Sequence, residues 1–207
     1  MVMMVVMAAD LELLLAEAKV GANGALGRLL EHYSQYLTLL ARMQIGKRLQ
    51  GKVDPSDLVQ EVFLSVHRQF PQFRGTTEAE FVTWLRRIMA GQFALLLRRY
   101  MGTKGRDVNL ERDLVAELDQ SSLALDRGLV ASYSTPSQHA SRREQAVLLA
   151  EALGKLSEDH REVIVLRHLE TLSFAEVAAR MNRTENSVYK LWVRALANLR
   201  EAMGGGS

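Results

Sequence analysis

Apolar residues recur along this chain at intervals of three and four, the spacing that places them on one face of an α-helix. No stretch shows the sustained alternation of apolar and polar residues that is typical of a β-strand. We therefore expect an all-α fold. The expected helices span residues 10–20, 25–49 (as one helix or two), 78–100, 142–153, 158–169, 174–181 and 185–202, with one more beginning at residue 54.

The clearest helix start is the segment Asp54-Pro55-Ser56-Asp57. Asp54 can accept hydrogen bonds from the free backbone N–H groups of the first turn, and Pro55 suits the first helical position because it has no N–H of its own. Asp57 places a negative charge in the first turn, where the helix dipole favours it.

Residues 172–184 have the pattern of a helix-turn-helix. Ser173 and Glu176 are spaced as a capping box at the start of the first helix. Residues 182–183 supply a turn, and Thr184 can cap the helix that follows. An ordinary helical hairpin has similar caps and apolar faces, so these features leave both interpretations open.

The helix expected after this turn has a polar outer face without acids. No Asp or Glu occurs in residues 186–200, whereas amide, phenol, amine and guanidinium groups do. Such groups read base edges when a helix lies in the major groove of DNA. The candidate DNA-binding residues of this helix are Asn186, Ser187, Tyr189, Lys190 and Arg194.

A second candidate nucleic-acid site lies within residues 73–88. Aromatic rings, hydroxyl groups and arginines are interspersed there, a mixture that binds single-stranded DNA by stacking on bases and holding phosphates. For Trp84, a place in the hydrophobic core and a contact with DNA both remain open. The candidates from this segment are Phe73, Arg74, Thr76, Trp84, Arg86 and Arg87.

The net charge of the chain says little about function, whereas the positions of the charged residues along the chain are informative. The 207 residues include 26 basic and 24 acidic side chains, a net charge of +2. Residues 81–106 contain basic side chains and no acid, which suits a polyanion, although a solvated helix face is the alternative. Residues 103–140 contain Gly105, Gly128 and the segment SYSTPS at 132–137, and they have an acidic excess. We expect them to be a linker, with at most a short helix near 108–118, between domains at 10–102 and 141–203.

The absence of cysteine excludes disulfides, zinc-bound thiolates and a cysteine nucleophile, and it fits a reducing compartment. The apolar start, Met1–Met7, is too short for a signal peptide or a membrane span. Asp54, Asp57 and Glu61 share a helix face, but no histidine follows at metal-ligand spacing. We expect a cytoplasmic protein without catalytic activity, cofactor or metal.

Together these segments resemble the bacterial RNA polymerase sigma factors of the extracytoplasmic-function (ECF) type. Residues 54–63, DPSDLVQEVF, look like the region 2 helix that docks on the polymerase clamp. Residues 73–88 look like the part that melts and reads the minus-10 element, and 156–184 with the following helix look like region 4, which reads the minus-35 element. Residues 187–196 resemble a subgroup known from planctomycete-like bacteria.

The resemblance implies core RNA polymerase and promoter DNA, both duplex and melted strand, as partners. An anti-sigma factor or a kinase is the further partner it allows, with Ser132, Ser134, Thr135 and Ser137 as candidate modification sites. Arg86, Arg87, Arg98 and Arg99 would hold phosphates of the minus-10 strand. The implied polymerase-binding residues are Asp54, Asp57, Leu58, Gln60 and Glu61.

One departure from the family pattern concerns the recognition helix. Tyr189 and Leu191 stand where Arg or Lys is frequent, so the resemblance implies no particular promoter sequence. The alternative function is a helix-turn-helix regulator that binds duplex DNA without polymerase. Such a regulator would have a sensor or dimerisation domain in place of residues 54–100.

Overall fold

The computed structural model describes residues 2–49, 53–101, 108–128 and 139–203. Every regular element within these ranges is a helix, and the chain divides into two compact units, residues 1–120 and 121–207. The expectation of an all-α fold with two helical domains is confirmed. Across the described ranges, no helix combines the length and the apolar character that a membrane crossing requires.

The described residues of the first unit form five α-helices, a 3₁₀ turn at Phe70–Gln72 and the beginning of a sixth α-helix. The α-helices are α1 (Val2–Lys19), α2 (Ala25–His32), α3 (Ser34–Arg48), α4 (Pro55–Gln69), α5 (Glu78–Met101) and α6 (Val108–Gly128), the last as far as Gln120. Helix α1 packs on α2 and α5, and α4 packs between α3 and α5. The core includes Tyr33, Tyr36, Phe81 and Phe93, all nearly inaccessible to solvent.

Two of these helices are longer than the sequence analysis expects. Helix α1 begins at Val2 rather than near Asp10, because the apolar start continues the helix. Helix α6 reaches Gly128, well beyond the short helix expected near 108–118. Leu114 and Leu118, one turn apart on α6, are completely buried, and this packing stabilises the helix.

The described residues of the second unit form the end of α6, four further α-helices and a π-helical turn. The elements after α6 are α7 (His139–Lys155), α8 (Glu158–Ile164), the π turn Val165–Leu169, α9 (Phe174–Arg180) and α10 (Glu185–Ala202). Helix α10 packs against α7, α8 and α9. Its inward residues Val188, Ala195 and Leu199 are buried.

A single arginine closes the turn between α7 and α8. The Arg161 guanidinium donates to the carbonyl oxygens of Leu153, Gly154 and Leu156 at 2.8–2.9 Å. These carbonyls lie at the end of α7, where intrahelical donors run out, so the bonds satisfy groups that would otherwise be unpaired.

The candidate modification sites Ser132, Ser134, Thr135 and Ser137 lie outside the described residues.

Candidate nucleic-acid interface

The first helix of the helix-turn-helix starts at the predicted capping box. The Ser173 hydroxyl accepts from the backbone N–H of Glu176 at 3.3 Å, and the Glu176 carboxylate accepts from the backbone N–H of Ser173 at 2.7 Å. Hydrogen bonds from Ser173 lower the pKa of the Glu176 carboxyl. The predicted capping box is confirmed.

The turn and the second helix also follow local chemistry. Asn182 has φ 51°, in the left-handed region that Asn tolerates better than most residues. Thr184 caps α10, its hydroxyl accepting from the backbone N–H of Ser187 at 3.3 Å. The chain therefore leaves α9 and enters α10 through two residues whose side chains suit the turn.

Helix α10 presents a mostly polar face to solvent, in which Val193 is the large apolar side chain. Tyr189 is 52% exposed, and the buried residues of the helix lie on the opposite side. Within the described part of the chain, neither Lys190 nor Arg194 forms an ion pair. All five candidates, Asn186, Ser187, Tyr189, Lys190 and Arg194, are exposed on this helix.

An aromatic cluster beneath this face joins α9, α10 and the π turn. The Phe174 ring lies 5.6 Å from Tyr189 and 5.4 Å from Trp192, both in edge-on geometry. The indole N–H of Trp192 donates to Nε2 of His168 at 2.9 Å, and the two rings stack. The cluster therefore supports Tyr189 from below. Sequence reasoning missed His168, because nothing local to residue 168 indicates a partner on α10.

The His168 ring has one protonation state that suits this bond. The indole N–H only donates, so His168 Nε2 must accept and the ring must be neutral. Burial lowers the pKa of His168, with Arg167 adding to the effect, which agrees with a neutral ring.

In the first unit, the loop between α4 and α5 is held by an aromatic cluster. Phe73 is only 8% exposed and lies 5.0 Å from Trp84 and 5.7 Å from Phe81. Trp84 is half-buried and also contacts Phe70. The structure thus places both predicted stacking residues in a packed cluster, and of the two only Trp84 keeps appreciable exposed surface.

The polar part of the same loop is exposed and ordered by one carboxylate. Glu80 Oε2 accepts from the backbone N–H groups of Thr76 and Thr77 at 2.8 and 3.0 Å, which lowers the pKa of this carboxyl. A Cβ added at Gly75 would lie 2.5 Å from the Phe73 ring, so only glycine fits there. Arg74 and Thr76 are exposed on either side of it.

The four predicted phosphate-binding arginines of α5 have different surroundings. Arg87 and Arg99 are exposed, and Arg98 is half-buried with its Nε donating to the carbonyl of Ala94 at 3.1 Å. Arg86 is only 13% exposed, and its Nε donates to Asp119 on α6 at 2.7 Å. The structure therefore leaves Arg87 and Arg99 open to solvent and pairs Arg86 internally.

The predicted polymerase-binding residues lie along the beginning of α4. Asp54 caps the helix, accepting from the backbone N–H of Ser56 at 2.8 Å, and this bond lowers the pKa of the Asp54 carboxyl. Leu58 is only 2% exposed and supports the helix from within. The exposed members of the set are Asp54, Asp57, Gln60 and Glu61.

These acids border a groove of about 350 Å³ between α4 and the end of α5. Three large apolar side chains line it and remain about half exposed, namely Leu64, Leu95 and Tyr100. Sequence reasoning missed these three residues. The available signal was an apolar residue on the otherwise polar side of each amphipathic helix, which is unfavourable in water without a partner.

Two family models match the chain in the expected order. Sigma-70 region 2 matches residues 29–102, and sigma-70 region 4 matches residues 146–199. The ECF RNA polymerase sigma-E factor of Haemophilus influenzae is 31% identical over 135 residues, covering 65% of this chain and 67% of that protein. The chain belongs to the ECF RNA polymerase sigma factors.

The sigma-E factor of Escherichia coli is 31% identical to this sigma factor over 134 residues, 62% of this chain and 63% of that protein. The match thus spans about two thirds of each relative's length. Solved structures of an RsbN-BldN complex (24% identity, 90% of this chain and 97% of that chain) and of CnrH with the cytosolic domain of CnrY (26%, 95% and 98%) are also similar. Both have a TM-score of 0.32, at which the likeness supports no conclusion about partners. The planctomycete-like subgroup stays a prediction.

Proposed function

We propose that this sigma factor binds core RNA polymerase and directs it to promoters, with its second unit on the minus-35 duplex and its first unit on the minus-10 element. The observation that carries the proposal is the presence of both sigma regions in one chain. Each region has an exposed face of suitable chemistry on the predicted helix. The proposal includes a cytoplasmic location and no catalytic activity of the chain's own.

In the second unit, α10 is the helix that enters the major groove. Lys190 and Arg194 lie one turn apart and would contact base edges, with Tyr189 beside them. Asn186 and Ser187 belong to the first turn, where free backbone N–H groups and the positive end of the helix dipole favour a phosphate.

In the first unit, the loop at 73–77 is the proposed wall of a pocket for a base taken out of the melted strand. Because Phe73 is buried, the accessible side chains of this loop are Arg74, Thr76 and Thr77. Extruding a base costs a few kcal/mol, and contacts with the pocket and the phosphates must offset that cost. Arg87, Arg98 and Arg99 are the proposed phosphate contacts on α5.

The groove bordered by α4 is the proposed docking site for core polymerase. Its acids favour a basic partner surface. Leu64 and Tyr100 provide exposed apolar area that a bound partner would bury. Asp54 has a second role as the helix cap, so its replacement would also loosen the start of α4.

The test is run-off transcription with sigma-free core polymerase over a promoter library. We expect RNA that starts at a subset of templates sharing two sequence elements, and no such RNA from core polymerase alone. Binding to duplex DNA without a complex with core polymerase would instead support the helix-turn-helix regulator. Absence of both a polymerase complex and initiated RNA would refute the proposal.

A further inference from the structure

The first half of α6 carries Glu117, which forms a bidentate ion pair with Arg48 of α3. Arg48 donates from both terminal nitrogens to the two carboxylate oxygens of Glu117, at 2.8 and 2.7 Å. Parallel bonds of this kind are stronger and more specific than single ones. Both side chains are about one-third exposed, so water weakens the pair without removing it.

A second acid of α6 holds an arginine of α5. The Arg86 Nε donates to Asp119 at 2.7 Å, and its Nη1 donates to the hydroxyl of Tyr36 at 3.3 Å. Arg86 is one of the residues predicted to hold promoter phosphates. A carboxylate offers the same charge sign and the same acceptor oxygens as a phosphate, so Asp119 occupies the position that a phosphate would need.

A third acid of α6, Glu111, lies against the backbone of α5. A Cβ added at Gly91 of α5 would lie 3.5 Å from Oε1 of Glu111, so this carboxylate sits directly over the α5 backbone. Glu111 lines a groove of about 320 Å³ together with Arg87 and Arg98. Two acids of α6, Asp119 and Glu111, therefore lie beside arginines that the resemblance assigns to promoter phosphates, and Glu117 ties the same helix to α3.

We propose that residues 108–120 of α6 are an intramolecular occupant of the minus-10 DNA surface, with Asp119 and Glu111 in the places of DNA phosphates. The inference rests on the proposed function of the first unit. Strand binding requires α6 to leave, and this breaks the ion pairs of Glu117 and Asp119. The apparent affinity of the free chain for DNA is then reduced by the fraction of molecules in which α6 is seated.

The first test neutralises the two paired acids in the full chain. The variant E117Q/D119N is compared with E12Q/E31Q, which changes the charge equally at exposed acids of α1 and α2, outside α6 and outside both pairs. The probe is a fluorescein-labelled, mixed-sequence DNA single strand, followed by anisotropy at several salt concentrations. We expect E117Q/D119N to bind about tenfold more tightly than wild type and the control to change less than about twofold. Equal affinities for the two variants would overturn the inference.

The second test needs no variant and therefore does not depend on how a mutant folds. Amide hydrogen exchange of the wild-type chain is measured with and without the same DNA strand. We expect the amides of residues 108–120 to lose protection when DNA is saturating, because the seated helix must leave. Unchanged or increased protection of these amides in the complex would contradict the inference.

The outcomes separate the inference from the function on which it rests. If the wild-type chain initiates RNA with core polymerase but both tests give the contradicting result, only the role of α6 is wrong. If no form of the chain binds DNA and core polymerase initiates no RNA with it, the proposed function fails and the role of α6 fails with it.

Discussion

The two units of this sigma factor differ in whether all of their candidate DNA-binding cations are exposed. Lys190 and Arg194 of α10 are exposed, and within the described residues they form no ion pair. Arg86 of α5 is nearly buried and paired with Asp119. Under the proposed function, the second unit is ready to bind duplex DNA, whereas Arg86 of the first unit becomes available only if α6 moves away.

The largest expected effect on DNA binding comes from an exposed cation of the second unit. Arg194→Ala should weaken binding to the duplex minus-35 element by about 1–3 kcal/mol, because a guanidinium that contacts base edges is lost. The measurement is a titration of the full chain against a duplex promoter identified by run-off transcription.

The matched control for this change is Arg200→Ala, which removes the same charge near the end of α10. We expect it to lower duplex affinity much less. Equal losses for the two variants would mean that α10 contributes only general positive charge, and the assignment of Arg194 would then be wrong.

The polymerase surface of the first unit should respond to loss of its exposed acids. Replacing Asp57 and Glu61 by alanine should weaken binding to core polymerase by about 1–2 kcal/mol, a size typical of contact residues at an interface. Duplex binding by α10 should not change, because these acids belong to the other unit. Surface plasmon resonance with immobilised core polymerase measures the first effect.

Glu31→Ala is the control for these acids, since it also removes an exposed carboxylate from the first unit. Its polymerase affinity should match that of the wild type. A loss as large as that of the double variant would point to overall charge rather than to the groove between α4 and α5.

The loop of the first unit can be disturbed through its packing rather than its charge. Gly75→Ala should destabilise the fold by about 1–3 kcal/mol, because the new methyl group meets the Phe73 ring and Glu80 Cβ at 2.5–2.8 Å. Gly27→Ala, in open space on α2, should instead raise stability by about 0.4–1 kcal/mol. Urea denaturation of both variants measures the difference, and equal shifts would refute the close packing of this loop.

The smallest expected effect is on how the stability of the second unit depends on pH. The pKa of His168 is lowered from the ordinary value of 6.5, so below pH 6.5 the unfolded chain binds more protons than the folded chain. Stability from this group is therefore complete above pH 6.5 and declines as pH falls through the folded pKa. His168→Gln should make the denaturation midpoint less dependent on pH in this range, because a Gln amide oxygen accepts from Trp192 without titrating.

Features specified within one helical turn were predictable from sequence. The capping box of Ser173 with Glu176 and the cap at Asp54 were expected from residue type and spacing, and both are confirmed. The exposed face of α10 was equally predictable from sequence, since helical periodicity alone determines which residues share a side. These features need no knowledge of other elements.

Features that join distant segments were not predictable in this way. The pairing of Arg86 with Asp119 spans 33 residues, and the bond between His168 and Trp192 spans 24. The length of α6 was also underestimated, although residues 119–127 contain no Gly or Pro that would end a helix before Gly128.

By itself, the sequence determined the helical class, the capped starts of α4, α9 and α10, the order of the two sigma regions and the chemistry of the recognition face, because each depends on interactions between near neighbours in the chain. Only the tertiary structure decided which of these side chains are free to act. It buries Phe73 and pairs Arg86 with an acid of α6, because burial and ion pairing depend on contacts between residues far apart in sequence.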